Sequence, residues 1–178
     1  MDAVQRLVDQ GAVIVELDIP LLETGVAVYY TLCPAEVSSN LARFDGLKFG
    51  HQQDTHDATS HMDYLAQVRA KAFGDEPLRR TLLGAHVLSS SEYEGQYVKA
   101  MGIRAVVTKQ LKDYFAKDVD IIVSPTCPLL PWMIGEKIAD PLAMYLADMY
   151  TVIANIAGIP AISVPAGTIE DDGQKTPV

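Results

Sequence analysis

Two neighbouring guanidinium groups and one carboxylate lie in apolar stretches of the sequence and could bind a charged ligand. Arg79 and Arg80 stand among leucines at helical spacing, so one of the two must face inward. Asp148 lies in an apolar run, where a carboxylate needs a cation or a polar ligand beside it. The partner of an inward arginine could be a protein acid or the α-carboxylate of a substrate. The residues alone favour structural ion pairs, both for the inward arginine and for Asp148.

Other residue types that could do chemistry give weaker patterns. Histidines and aspartates alternate in one polar segment, but the spacing of the histidines fits neither one helix face nor the usual zinc patterns, so we predict no metal site. The residues are His51, Asp54, His56, Asp57, His61 and Asp63. Ser38–Ser39 and Ser89–Ser91 lack glycine-rich surroundings and are predicted to cap helices or pack at turns. Cys127 has no base near it in sequence and is predicted to be unreactive.

Hydrophobic periodicity predicts the elements that must position these residues. Helices are expected at 2–10, in two pieces between 21 and 41 with a break near Pro34, and at 61–72, 76–88, 96–115 and 140–158. Strands are expected at 12–19, 119–123 and 161–164, and a loop at 44–60. Because a helix separates the last two strands, they should form a parallel pair by a crossover connection. The predicted fold class is α/β, with residues 1–178 in a single domain.

Composition limits the classes of function. With 178 residues and 49% hydrophobic residues, the chain can bury a core. A net charge of −9 argues against extensive direct binding of nucleic acid, because the chain would repel phosphates. The sequence has two cysteines, no signal-peptide pattern and no apolar run long enough to span a membrane. We therefore expect a cytoplasmic protein without a membrane partner.

Four motifs in a fixed order resemble those of one enzyme family. They are YYTLCPAEVSSNLARFDGLKFG at 29–50, FGDEPLRRTLLGAHVLSS at 73–90, DIIVSPTCP at 120–128 and DPLAMYLADMYTVIANIAGIPAISVPAG at 140–167. Together they resemble the amidase signature family and, within it, the glutaminase (A) subunits of glutamyl-tRNA(Gln) amidotransferase. The first motif is the most characteristic of these A subunits, since general amidases usually lack it.

The resemblance implies a fold and a binding site. The fold would be part of the amidase signature fold, a mixed and largely buried β-sheet flanked by helices. The position matching Arg80 would bind the α-carboxylate of glutamine, the one matching Asp148 its α-amino group, and Tyr29 would line the same pocket. In the family, glutamine hydrolysis supplies ammonia for the amidation of Glu-tRNA(Gln). The chain would work with amidotransferase B and C subunits and meet tRNA only through that complex. It would bind no cofactor, since the partner subunit uses ATP and Mg.

The resemblance also implies that the catalytic residues of the family lie upstream of these motifs. Its lysine and its two serines belong to a glycine- and serine-rich signature that precedes every motif quoted above. We therefore expect a C-terminal portion with no catalytic residue, inactive by itself and exposing apolar faces. Two alternatives remain open: a general amidase acting on another amide, and a non-catalytic remnant that serves as a binding module.

Overall fold

The computed structural model describes residues 2–20, 22–52, 57–117, 119–136, 141–171 and 174–177. The chain divides into two compact units: a central unit, Ala27–Ile103, and a terminal unit, Met1–Val26 with Arg104–Val178. The elements in chain order are α1 (Asp2–Asp9), a 3₁₀ helix (Leu22–Thr24), α2 (Gly25–Leu41), α3 (His61–Ala72), α4 (Asp75–Val87), a π-helix (Tyr93–Val98), α5 (Lys99–Phe115), α6 (Pro141–Leu146), α7 (Val152–Ala157), β1 (Thr168–Asp171) and β2 (Gln174–Pro177). The expectation of one domain over residues 1–178 stays a prediction.

Helices with a clear apolar period and a start signal form where the sequence predicts them. The predicted helix at 61–72 is α3, the one at 76–88 is α4, and the one at 96–115 is α5 preceded by the π-helix. Ser60 begins α3 by accepting a hydrogen bond from the backbone N–H of Asp63 at 3.1 Å. No helix in the described residues is long and apolar enough to cross a membrane.

The predicted break of the helix at Pro34 is wrong, because α2 continues through this residue. A proline inside a helix removes one backbone hydrogen bond and crowds the preceding turn. Here Pro34 is fully buried, and Gly84 of α4 lies against it. A Cβ atom at Gly84 would stand only 1.9 Å from the carbonyl oxygen of Pro34. We attribute the unbroken helix to this close packing of α2 on α4, which offsets the lost hydrogen bond.

The predicted loop after α2 has no helix or strand in its described residues, 44–52 and 57–60, as expected. It begins with a fixed turn. The Asp45 carboxylate accepts backbone hydrogen bonds from Leu47 at 2.9 Å and Lys48 at 3.0 Å. Gly46 has φ +73°, a conformation that favours glycine, and its carbonyl accepts a hydrogen bond from the Tyr64 hydroxyl at 3.1 Å. The ARFDG part of the first motif thus ties the end of α2 to α3.

The single helix predicted at 140–158 is wrong in the structure, which has two short helices there. Helix α6 ends at Leu146 and α7 begins at Val152, with turns between them. The Asp148 carbonyl accepts hydrogen bonds from the N–H of Thr151 at 3.0 Å and from its hydroxyl at 3.1 Å. Such local bonds compete with a regular helix and favour a turn. Gly158 ends α7 with φ 67°, as predicted, and Asp140 lies outside the described residues.

The structure does not confirm the three predicted strands or their parallel crossover. Residues 12–19, 119–123 and 161–164 are outside any strand, and the sheet in the described residues is the antiparallel hairpin β1–β2. A strand needs hydrogen-bonding neighbours as well as an apolar pattern. Val13 is 88% exposed, Ile121 77% and Ile162 87%, so these β-branched segments have the composition of buried strands without burial. The Thr126 hydroxyl, which follows the second of these segments, lies 3.3 Å from the hydroxyl of Ser163 in the third.

Candidate functional site

The two adjacent arginines of α4 face different surroundings, as the sequence predicts. The Arg80 side chain is 23% exposed, whereas that of Arg79 is 47% exposed. Successive residues of a helix point about 100° apart, so only one of the two can turn toward the rest of the central unit. Arg80 is the inward residue and Arg79 the outward one.

Glu76 is an acidic partner of both arginines. Its Oε1 accepts a hydrogen bond from Arg80 Nε at 2.8 Å, and its Oε2 pairs with Arg79 Nη1. Glu76 lies four residues before Arg80 on α4, which is the spacing of neighbouring side chains on one helix face. This contact is the structural ion pair that the residues alone favour. The binding of a substrate carboxylate by Arg80 stays a prediction.

Three residues of α2 surround the other sides of the Arg80 guanidinium. Its Cζ atom lies 5.1 Å from the centre of the Tyr30 ring, within range of a cation–π contact. Its Nη1 lies 3.8 Å from the Cys33 Sγ atom. Tyr29 and Tyr30 meet edge to face with ring centres 5.2 Å apart. The structure therefore brings Arg80 and Tyr29, two of the three predicted binding residues, into one cluster of the central unit.

Electrostatics keep the guanidinium charged and the neighbouring phenol protonated. Partial burial alone would lower the pKa of Arg80, but its hydrogen bond to Glu76 and its interactions with Tyr30 and Tyr29 raise that pKa above its ordinary value. Burial and the neighbouring Cys33 raise the pKa of Tyr29 above 10.0, and Arg80 offsets part of this rise. At neutral pH the Arg80 guanidinium is therefore charged and the Tyr29 hydroxyl is protonated.

An open groove of about 370 Å³ lies beside the Glu76–Arg80 pair. Its lining comes from α2 and α4 and consists of Val37, Asn40, Leu41, Glu76, Pro77 and Arg80. Apolar walls next to a charged pair suit a small ligand that has an ionic end group.

Asp148 belongs to the terminal unit and lies in the turn between α6 and α7. The expectation of a buried carboxylate in an apolar helix is wrong, because Asp148 lies in a turn and is partly exposed. None of the charged or polar side chains in the described residues reaches full burial. Asp148 is not buried on a helix face because the chain turns between α6 and α7 at this residue. Its role in binding an α-amino group stays a prediction.

The remaining candidate residues give no second site. Among the described residues, no group of three or more histidine, cysteine or acidic side chains could hold a metal ion, and Asp54 and His56 lie outside them. Ser89 and Ser91 lie in the turn after α4, with their hydroxyls 3.2 Å apart, in accord with a turn role. Cys127 is partly exposed. Ser38 and Ser39 lie inside α2, Ser38 beside Gly84, so the predicted cap or turn role is wrong for this pair.

Three residues of the Arg80 cluster are absent from the sequence-based candidates. Glu76 could have been found, since an acid four residues before an arginine is a recognised helix pair. The sequence provided weaker grounds for selecting Tyr30, which is only the neighbour of Tyr29 in the sequence. It provided none for Cys33, because only the packing of α2 on α4 places its thiol beside the guanidinium.

Comparisons with known proteins agree with the family that the motifs resemble. The amidase family matches residues 1–178. A glutamyl-tRNA(Gln) amidotransferase A subunit of Clostridium acetobutylicum, the one numbered 2, is 44% identical over 170 residues, which is 96% of this chain and 35% of the relative. The corresponding protein of Alkaliphilus metalliredigens is 45% identical over 166 residues, 93% of this chain and 33% of the relative. The corresponding protein of Nocardia farcinica is 44% identical over 171 residues, which is 96% of this chain and 35% of the relative. The chain spans about a third of the length of these relatives.

Proposed function

Since the chain belongs to the amidase family, whose fold is α/β, we propose that it is part of the A-type polypeptide of a glutamyl-tRNA(Gln) amidotransferase. In the proposed reaction, glutamine is hydrolysed and its ammonia is used to amidate Glu-tRNA(Gln). The named relatives that share 44–45% of their aligned residues with this chain support the proposal. We further propose that the chain contributes to a mixed, largely buried sheet flanked by helices and that it functions in the cytoplasm.

The proposed role of this chain is to hold glutamine, with bond cleavage by serine and lysine residues upstream of its motifs. Arg80 would bind the α-carboxylate, Tyr29 would line the pocket, and Asp148 would bind the α-amino group. Positioning a substrate lowers the entropic part of the barrier but forms no acyl-enzyme by itself. Amidotransferase B and C subunits would be its partners, tRNA would be met only through them, and the partner subunit would use ATP and Mg.

One observation carries this proposal: a charged guanidinium is held in a defined orientation at the edge of a groove. Arg80 has Glu76 on one side and Tyr30 and Cys33 on others, and it lines the groove of about 370 Å³. A planar guanidinium binds a carboxylate with two parallel hydrogen bonds, so such a group suits an amino-acid substrate. The protonated Tyr29 hydroxyl adds a polar contact beside it.

The test uses the full-length protein assembled with its partner subunits and compares glutamine with free ammonia as nitrogen donor. We expect Arg80→Ala and Asp148→Ala each to raise the KM for glutamine by about 10- to 100-fold, the cost of one lost charged hydrogen bond. The ratio of ammonia-dependent to glutamine-dependent rate should rise accordingly. Arg79→Ala is the matched control, since this neighbour faces outward on the same helix and pairs with the same Glu76.

Equal losses with both nitrogen donors would contradict the binding role. The same assays separate the proposal from a general amidase. If Arg80→Ala weakens hydrolysis of a simple amide without a carboxylate as much as that of glutamine, a glutamine-directed site is excluded. A complex that uses ammonia but never glutamine, with every variant alike, would favour a non-catalytic binding module.

A further inference from the structure

Glu76 joins two arginines that have different exposure. Its two carboxylate oxygens are divided between them: Oε1 accepts from Arg80 Nε, and Oε2 pairs with Arg79. The Glu76 side chain is itself 40% exposed and lines the groove together with Arg80. It therefore reaches the inward arginine from the groove side of α4 rather than from within the core.

The contacts of Arg80 restrict its guanidinium in three directions. The bond to Glu76 fixes the Nε edge at 2.8 Å, the Tyr30 ring lies 5.1 Å from Cζ, and the Cys33 thiol lies 3.8 Å from Nη1. Arginine has a long side chain with much rotamer freedom, which is lost when the group binds a ligand. A guanidinium that is already held in one orientation loses less on binding.

The geometry favours orientation over competition for the same arginine. Glu76 engages Nε, whereas Nη1 points toward Cys33 on α2. A pair in which the glutamate precedes the arginine by four residues on one helix is also the favourable order for such pairs. The ion pair therefore engages the Nε edge of the guanidinium.

We propose that Glu76 is a positioning residue, which holds the Arg80 guanidinium in the orientation that accepts the carboxylate of an amino-acid substrate. This inference rests on the proposed function, because it takes Arg80 as the residue that binds the substrate carboxylate. It names a residue whose effect on the substrate acts through Arg80.

The experiment measures steady-state kinetics of the full-length protein in its assembled complex, with glutamine and with ammonia. Glu76→Ala is expected to raise the KM for glutamine by about 3- to 10-fold, the effect of one side chain that must be ordered on binding. The kcat with glutamine should stay within about twofold, since no reacting group changes. Glu76→Gln keeps an oxygen that accepts from Nε and should restore most of the native KM. Asp75→Ala, an exposed acid in the same first turn of α4, is the matched control.

The following results would overturn the inference. A lower KM in Glu76→Ala would show that Glu76 competes with the substrate for Arg80. Parallel losses with glutamine and ammonia, together with a lower melting temperature, would show a merely structural role. A Glu76→Gln variant as weak as Glu76→Ala would show that the hydrogen bond to Nε does not position the group. Arg80→Ala separates the two proposals: if it leaves the glutamine KM unchanged, the proposed function fails, and if it raises the KM while Glu76→Ala does not, only the positioning role fails.

Discussion

At the scale of single residues, Arg80 differs from Arg79 through its neighbours rather than through its own chemistry. Both are arginines on one helix and both pair with Glu76, and Arg80 also meets Tyr30 and the Cys33 thiol. Burial alone would lower the pKa of its guanidinium, but the hydrogen bond to Glu76 and the interactions with Tyr30 and Tyr29 raise that pKa, so Arg80 stays charged at any physiological pH. A permanent cation next to an apolar groove is the feature that makes this side chain a candidate for binding an anionic end group.

A substitution at Tyr29 tests whether its hydroxyl contributes to glutamine binding. Tyr29→Phe keeps the ring contact with Tyr30 but removes the hydroxyl that interacts with Cys33 and Arg80. Under the proposed function, we expect the KM for glutamine to rise about fivefold, the value of one ordinary hydrogen bond. Tyr93→Phe, which removes the hydroxyl of an exposed tyrosine outside the cluster, is the matched control. An unchanged KM in Tyr29→Phe would remove Tyr29 from the site.

The raised pKa of Tyr29 gives a prediction about pH. Burial, the main cause of the shift, favours the neutral phenol and raises the pKa above 10.0 in the folded protein. The stability that this group contributes is therefore fully present below pH 10.0, the ordinary pKa, and is lost as pH rises through the folded pKa. Thermal unfolding between about pH 7 and 12 should show a decline above pH 10 that is smaller in Tyr29→Phe. Equal declines in both proteins would contradict this origin.

At the scale of elements, the packing of α2 on α4 depends on a glycine. A Cβ at Gly84 would lie 1.9 Å from the Pro34 carbonyl oxygen and 2.7 Å from the Ser38 Cβ. Gly84→Ala should therefore lower the free energy of unfolding by about 3 kcal/mol, although alanine favours the helix. Denaturant unfolding measures the change. The same variant should weaken glutamine binding, because α2 and α4 together form the Arg80 cluster and its groove.

Gly102 of α5 provides a matched control for this prediction. It is also a helical glycine, but a Cβ there would meet no atom within 4 Å. Gly102→Ala is expected to raise the free energy of unfolding by about 0.5–1 kcal/mol through helix propensity and chain entropy alone. If the two substitutions have the same sign, close packing at Gly84 is not the reason for its effect.

The start of α3 should be sensitive to acid. Asp63 accepts hydrogen bonds from the N–H of Thr59 at 2.9 Å and from the Gln67 amide at 3.2 Å. These bonds, that of the Thr59 backbone first, lower the pKa of Asp63 below 3.8. The contribution to stability is therefore present above pH 3.8 and is lost as pH falls through the lowered folded pKa.

Asp63→Asn should remove this acid sensitivity. At pH 7 the variant should show faster amide exchange in the first turn of α3, and the difference from the native protein should vanish below the pKa of the native carboxyl. Asp57→Asn, an exposed aspartate before the helix, is the control and should leave the exchange at this turn as it is. A difference that persists at low pH would show that charge at Asp63 is not the cause.

At the scale of the whole molecule, the terminal unit leaves apolar segments in contact with solvent. Val13, Ile121, Val123, Ile162 and Val164 are each at least 62% exposed. Segments of this kind, rich in β-branched residues, associate with other chains through their edges. The relatives named above are about three times as long as this chain.

The exposed segments predict self-association of the 178-residue chain. Sedimentation should give a mass above the 19.4 kDa of one chain. Replacing Val13 and Ile162 together by lysine should reduce this association, because both side chains are largely exposed and support no core. Gln10→Lys, also at an exposed position, adds charge without removing apolar surface and should have little effect. A native chain that sediments as a monomer would contradict the prediction.

The sequence by itself predicted the features that depend on neighbours a few residues apart. Helices α3, α4 and α5 follow from apolar spacing, and Gly158 ends α7 as its type suggests. The inward turn of one arginine also follows from helical geometry, and four ordered motifs indicated the family that the comparison shows. Each of these features depends on residues close together in the sequence, so it can be predicted from the sequence alone.

Only the tertiary structure decided the features that depend on distant parts of the chain. Helix α2 passes through Pro34 because Gly84 allows α4 to pack against it, and the residues around Asp148 form a turn instead of a helix. The contacts of Arg80 with Tyr30 and Cys33 join residues about fifty positions apart, which no spacing rule predicts. The three predicted strands are not confirmed for the same reason. An apolar pattern favours a strand, but pairing needs a hydrogen-bonding neighbour that the local sequence does not supply.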